Sequence, residues 1–250
     1  MGLPPPDFGH WTLDVGLSVN MIQAIFFDFN GVIIDDEPLQ MAAYKDVLAG
    51  QGIDLSESDY YSALGMDDRT FVRAAFERAK KKLTDDVLQL MTEGKTARHR
   101  KLIEQELPLF PGVVTLLKAS AREFSLGLVS MAAADEIDYV LERARLSSLF
   151  SVIVSAENVS NCKPAPECYA TALQKLNEKR LAERRLPVLP RECLVIEDSP
   201  PGIMSGRAAG MRTLGVTNTV SEEQLRAAGA DVVTPSLADW TGDAVHHVFD

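Results

Sequence analysis

The chain has 250 residues, 46% of them apolar, and a formal net charge of −11. That length and apolar share suffice for one large domain or a core with a smaller insert, and they exclude a chain disordered beyond its ends. The acidic balance argues against nucleic acid as a partner, because phosphate-backbone binding relies on clustered Lys and Arg. It leaves room for a small anionic ligand, since a cleft can be locally positive on an acidic protein.

Residues 1–20 carry a Pro4-Pro5-Pro6 run and read as an irregular N-terminal extension. Met21, directly before the first strand pattern, is a second candidate translation start. The N-terminus has no basic region followed by an apolar stretch, so no secretory signal is read. No run reaches the roughly 18 apolar residues of a membrane span. A cytoplasmic protein with no membrane partner is expected.

Ile22 to Phe27 is short, apolar and aromatic, and ends in Asp28-Phe29-Asn30-Gly31: a buried central strand followed by a tight turn. Similar runs recur at Leu126 to Ser130, Val152 to Ser155, Cys193 to Glu197, Arg212 to Val216 and Asp231 to Val233. Helical patterns over 112–122, 133–145, 166–181, 200–209 and 221–228 separate them. Strand-helix alternation of this kind predicts a parallel sheet with helices on both faces. Residues 38–107 break the alternation with helical patterns only, at Leu39 to Ala49, Thr70 to Lys80 and Thr84 to Glu106. Some seventy residues are too many for an ordinary crossover. The predicted fold is therefore α/β: a Rossmann-like parallel core (21–37 and 108–250) carrying an inserted all-helical cap (38–107), with joints at Pro38 and Leu109 to Gly112. The basic runs Lys80 to Lys82 and Arg98 to Lys101 read as solvated helix faces. Cys162, Cys168 and Cys193 form no CxxC, so neither a disulfide framework nor a zinc site is indicated. The four histidines have no triad spacing, and His246-His247 reads as a surface pair.

In open α/β sheets, ligands bind beyond the carboxyl ends of the strands. The first strand end offers Asp28 and Asn30, the second Ser130, the segment after the third Lys163, and the fourth Glu197 and Asp198. Singly these are ordinary turn, cap and surface residues; Ser199-Pro200, for example, reads as a helix start. Together they bring carboxylates, a hydroxyl and a lysine to one crevice, and that set suits phosphoryl transfer. A carboxylate can attack phosphorus and form an aspartyl-phosphate. A Mg²⁺ ion offsets the repulsion between the two anions. Lysine and hydroxyl donors hold the phosphoryl oxygens, and Gly31 allows close backbone approach.

The motifs sharpen this. Asp28-Phe29-Asn30-Gly31-Val32 with Asp35-Asp36-Glu37-Pro38-Leu39 resembles the first motif of the haloacid dehalogenase (HAD) superfamily, in the subgroup of beta-phosphoglucomutase and small phosphatases. Ser130 ends a segment similar to the second motif, Lys163-Pro164-Ala165-Pro166 resembles the third, and Glu197-Asp198-Ser199 with Gly202-Ile203 and Ala208 to Met211 resembles the fourth. Phe110-Pro111-Gly112-Val113 is similar to the usual return from the cap. The likeness spans about residues 21–235. It implies Asp28 as nucleophile and metal ligand, Asn30 as the position whose main-chain carbonyl binds Mg²⁺, Ser130, Met131 and Lys163 around the phosphoryl group, and Asp198 on the metal with Glu197 alongside. It further implies that the cap segment Gly65 to Arg69 selects substrate, with Arg69 meeting a second anionic group or lying on the surface. Sugar phosphates, phosphoglycolate and nucleotides all fit as small phosphorylated metabolites.

One departure matters. Phosphatases of this superfamily carry Asp, not Asn, two residues after the nucleophile, where it protonates the leaving alcohol and activates water. Asn does not exchange a proton near neutral pH, and loss of a general acid–base costs about 10²–10⁴ in rate. The readings are weak phosphatase activity, an acyl-phosphate substrate, an engineered trap of the covalent intermediate, partial deamidation of Asn30-Gly31, or a pseudoenzyme that binds phosphorylated ligands or partners. Asn30→Asp is expected to raise turnover at least about tenfold. Proton supply by Asp35, Asp36 or Glu37 is not expected, since the following hairpin should turn them away. Mutase chemistry needs a proton-transferring group, phosphonatase chemistry a cap lysine where Arg69 stands, and dehalogenation no metal; all three fit less well.

Overall fold

The computed structural model describes residues 21–250; the N-terminal extension lies outside the described residues. Six strands form one all-parallel sheet: β1 (Ala24–Phe27), β2 (Ser125–Val129), β3 (Val152–Val154), β4 (Cys193–Glu197), β5 (Arg212–Val216) and β6 (Val232–Thr234), in the order β3-β2-β1-β4-β5-β6. β1 lies central, with Ala24 beside both Ser125 and Cys193. Its period of two sends Ile25 and Phe27 into one apolar layer, with Leu126, Leu128, Leu194 and Ile196. Ala24 and Phe26 face the opposite layer, with Val129, Cys193 and Val195. Both faces of the sheet are covered, which is why the strands read as continuous apolar runs. Gly127 leaves room for the Phe26 ring; a Cβ there would overlap it.

The crossovers are α5 (Val113–Ser120), α6 (Ala134–Ala144), α7 (Glu167–Ala182), α8 (Pro200–Ala208) and α9 (Glu222–Ala227), with α10 (Gly242–Phe249) closing the chain. As expected from Ser199-Pro200, the Ser199 hydroxyl caps α8 by accepting from the Gly202 N–H, with Pro200 in the first turn.

Between β1 and α5 lie helices only: α1 (Glu37–Ala49), α2 (Glu57–Tyr61), α3 (Asp68–Arg78) and α4 (Asp85–Ile103). They carry their own apolar cluster, including Tyr44, Leu48, Phe71, Phe76, Leu88 and Met91. This is a parallel Rossmann-like core with an inserted helical cap. The buried stripe of α4 runs Leu88, Met91, Lys95, His99, Ile103, at helical spacing. The Arg98 to Lys101 run is thus a solvated face only in part, because His99 belongs to the buried side while Arg100 and Lys101 are exposed. Lys80 to Lys82 are exposed but follow α3 rather than forming part of it.

Candidate active site

Asp28 directly follows β1, and its N–H is held by the Ile196 carbonyl of β4. The chain then doubles back: Ile33 and Ile34 N–H groups bond the Phe29 carbonyl and Gly31 N–H bonds Ile34. Gly31 has φ +73°, and any Cβ there would overlap the Asp198 carboxylate, so close approach requires glycine.

Lys163, in the loop after β3, is buried and joins two strand ends. Its Nζ donates to Asp28 Oδ1 at 2.8 Å and to Glu197 Oε1 at 2.6 Å. Glu197 is completely buried and fully engaged: Oε1 also accepts from the Tyr169 hydroxyl of α7 (2.8 Å), and Oε2 accepts from the Ser199 hydroxyl (3.1 Å) and the Asp198 N–H (3.2 Å). Gly202 makes this possible, since a Cβ there would overlap the Glu197 carboxylate. Carboxylate oxygens of Asp28, Glu197 and Asp198 lie within 4.8 Å of one another.

Three buried carboxylates thus face a single ammonium. Burial, then the Glu197 charge, pushes Asp28 from 3.8 to about 7, with Lys163 opposing. Burial, then Glu197 and Asp28, pushes Asp198 well above the usual carboxylate range. Burial alone would lower Lys163, but the Asp28 and Glu197 carboxylates outweigh it and hold the ammonium above its ordinary range. The cluster has a negative excess that a divalent cation would relieve.

Asp28, Asn30, Ser130, Met131, Lys163 and Asp198 line one cavity. Glu197 anchors Lys163, and Gly31 packs on Asp198. Ser130 accepts from the Ala132 N–H through its Oγ (3.0 Å). The cap segment divides: Gly65, Met66 and Asp68 line this cavity, whereas Arg69 is exposed and lines a separate groove with Arg73 and Arg100. The structure does not bring Arg69 to Asp28.

The residues after the turn differ from expectation. Asp35 is exposed, but Asp36 is fully buried against Asn30, and Glu37 lines the cavity. The physical reason is the tight return of residues 31–34, which starts α1 at the crevice mouth. Asn30 Nδ2 donates to both Asp36 oxygens (3.0 and 2.9 Å), and Gln40 Nε2 donates to Asp36 Oδ2 (3.0 Å). His99 Nε2 lies 2.8 Å from the same oxygen without forming a hydrogen bond. A carboxylate is therefore present beside position 30, but one residue-pair removed from it, on Asp36.

The cap supplies the remaining wall. Tyr60 donates to Glu37 Oε2 (2.5 Å), and burial, then Asp36, pushes Glu37 from 4.5 to about 7 with Tyr60 opposing. Tyr44 donates to Asp68. Lys95 reaches Asp68 (3.0 Å) and Glu136 of α6 (3.0 Å), tying cap to core. Sequence reading set Glu37 aside as turned away and missed Gln40, Tyr60, Lys95 and Tyr169. The one available signal was a lysine at an apolar-stripe position of α4.

The chain is similar in sequence and fold to known proteins. The sequence pattern described as haloacid dehalogenase-like hydrolase matches residues 25–216. Hexitol phosphatase B of Escherichia coli (strain K12) is 31% identical over 224 residues, covering 88% of this chain and 95% of that relative. A phosphorylated carbohydrates phosphatase of Thermotoga maritima is 28% identical, covering 84% of this chain and 92% of its own length. The crystal structure of beta-phosphoglucomutase from Clostridium difficile superimposes with a TM-score of 0.79 at 26% identity, covering 92% of this chain and 97% of that one. Among the described residues, no helix is long and apolar enough to cross a membrane.

Proposed function

This chain belongs to the haloacid dehalogenase-like hydrolases, and we propose that it is a Mg²⁺-dependent phosphatase of small phosphorylated metabolites working through an aspartyl-phosphate on Asp28. The observation that carries the reading is the convergence of buried Asp28, Lys163 and Asp198 on one open cavity beyond the ends of β1 and β4. The named activities of the phosphatases similar to it support the substrate class.

Asp28 attacks phosphorus, forming the Asp–O–P bond as the bond to the leaving oxygen breaks; water then cleaves the acyl phosphate and restores the carboxylate. Lys163 and Ser130 hold the phosphoryl oxygens as charge shifts. The donor set suits Mg²⁺, a hard cation that takes oxygen ligands: Asp28, Asp198 and the Asn30 main-chain carbonyl would hold it, while Glu197, whose oxygens are engaged, positions Lys163. The ion supplies neutralisation of the negative charge that an anionic substrate adds to this cluster. Residues 38–107 form the cap in this reading and 21–37 with 108–250 the catalytic core.

Asn30 sets the limit on rate. It cannot deliver a proton to the leaving alcohol, so esters with good leaving groups and acyl phosphates turn over faster than alkyl esters. The test is a panel of alkyl, aryl and acyl phosphates with Mg²⁺ or EDTA, with acid-quenched phosphoenzyme measured in parallel. Metal-dependent turnover with a phosphoenzyme burst is expected; its absence across the panel rejects the reading. The second reading is a phospholigand-binding pseudoenzyme. It is favoured by the tie of the Asn30 amide to Asp36 and would show as saturable binding without turnover. Schiff-base chemistry is disfavoured although a cap lysine reaches the cavity, because Asp68 and Glu136 keep Lys95 charged.

A further inference from the structure

We propose that the substrate carries its only negative charge on the phosphoryl group, and that the cap end of the cavity takes an uncharged, hydroxyl-bearing group and rejects a second anion. This deepens the phosphatase reading and rests on it. Among the aromatic and apolar side chains of the cap end (Tyr44, Tyr60, Leu64, Met66, Phe71) stand three groups that accept from hydroxyls. Glu37 and Asp68 offer carboxylate oxygens. Gln40, only 5% exposed, lines the same cavity, gives its Nε2 to Asp36, and leaves Oε1 with no hydrogen-bond partner among the described residues. An unpartnered buried acceptor is costly until a donor arrives, and a sugar or polyol hydroxyl is such a donor.

Lys95 decides against a second anion. Besides Lys163 it is the one Lys or Arg among the lining residues, and it is the group that would have to bind a distal phosphate or carboxylate. Its side chain is 2% exposed, and its three N–H bonds are taken: Nζ donates to both Glu136 oxygens (3.0 and 3.1 Å) and to Asp68 (3.2 Å). Asp68 and Glu136 neutralise it and Glu37 lines the same cavity, so this end offers no spare positive charge to an anion. Arg69, Arg73 and Arg100, which could have served, line another groove. An entering anion would have to break the Lys95 pairs and sit beside Glu37, and like-charge juxtaposition of this kind is how sites reject wrong ligands.

The experiment uses substrate pairs that differ only in one distal group. Glucitol 6-phosphate is set against 6-phosphogluconate, and glycerol 3-phosphate against 3-phosphoglycerate, each exchanging CH₂OH for carboxylate; fructose 6-phosphate is set against fructose 1,6-bisphosphate. With Mg²⁺, kcat/KM should favour the member whose phosphoryl is its one anionic group by at least about tenfold, mainly through KM. Glu37→Gln should narrow that ratio. Equal or better turnover of the members with a second anionic group overturns the proposal. The Asp28→Asn protein, assayed by calorimetry with the same pairs, answers when turnover is absent: preferential binding of the hydroxyl members upholds the charge rule even if the phosphatase reading fails, and binding without preference overturns it.

Discussion

Replacing Lys163 by Met tests whether charge compensation holds the crevice together. The substitution keeps the length and apolar bulk of the stem but removes the hydrogen bonds to Asp28 (2.8 Å) and Glu197 (2.6 Å). Three buried carboxylates then face one another with no cation. Removing one partner of a buried ion pair costs about 3–5 kcal/mol. In a chain of this size each kcal/mol moves Tm by roughly 2–4 °C, so a fall of about 10 °C is expected at pH 8. The sign of the pH dependence follows from Asp28. Its folded pKa, already raised from 3.8 to about 7, rises further without Lys163. The folded state therefore binds the extra proton between the two pKa values, and stability falls as pH climbs through that window. Lys163 itself, held above its ordinary range, stays charged from pH 5 to 8 and contributes no slope there. The deficit of the variant should thus be largest at pH 8, shrink toward pH 5, and be partly recovered by millimolar Mg²⁺. Urea and thermal melts of both proteins in EDTA at pH 5, 6.5 and 8, then with Mg²⁺, give the answer. A variant within about 1 kcal/mol of the parent at pH 8, or a deficit independent of pH, would refute the reasoning.

Three further outcomes are expected. Mg²⁺ should raise the Tm of the parent protein by several degrees through binding linkage, and Asp198→Asn should abolish that shift; a variant that keeps it places the ion elsewhere. Asn30→Asp alone, for which the sequence led us to expect at least about a tenfold gain, should instead gain little, because the new carboxylate meets buried Asp36, whose oxygens now accept from the Asn30 amide at 3.0 and 2.9 Å. Asn30→Asp with Asp36→Asn exchanges the two groups, keeps the hydrogen bond, and should raise turnover of alkyl phosphates at least about tenfold; a single variant as active as the double would show that Asp36 imposes no penalty. Gly202→Ala, whose Cβ would overlap the Glu197 carboxylate, should displace Lys163 and lower kcat at least about tenfold, with kcat unchanged counting against Glu197 as its anchor.

The sheet was legible because its signals are local. Apolar runs at Ile22 to Phe27 and Cys193 to Glu197 are strands buried on both faces, and Ser199-Pro200 carries its own capping chemistry. The helical insert was legible from length and from the absence of strand patterns. Helix α2, at five residues, is too short to show a period, and α10, at eight residues, went unread although Thr241 caps it ahead of Gly242-Asp243. The Asp28, Asn30, Ser130, Lys163 and Asp198 convergence could be read because each stands at a strand end or the segment after one, and strand ends of a parallel sheet share one edge.

The cap wall could not be read in the same way. Whether Glu37 turns into the crevice depends on how residues 31–34 fold back, and whether Arg69 or Lys95 faces Asp28 depends on how the cap helices are rotated over the sheet. The Asn30–Asp36 pairing likewise exists only once α1 is seated beside the turn. Periodicity along the chain fixes which residues form elements and which strand ends carry reactive groups, because those are near-neighbour effects of burial and backbone geometry. Which charges meet across the cleft, and so which ligands it admits, is decided by contacts between elements distant in the chain, and those arise only from tertiary packing.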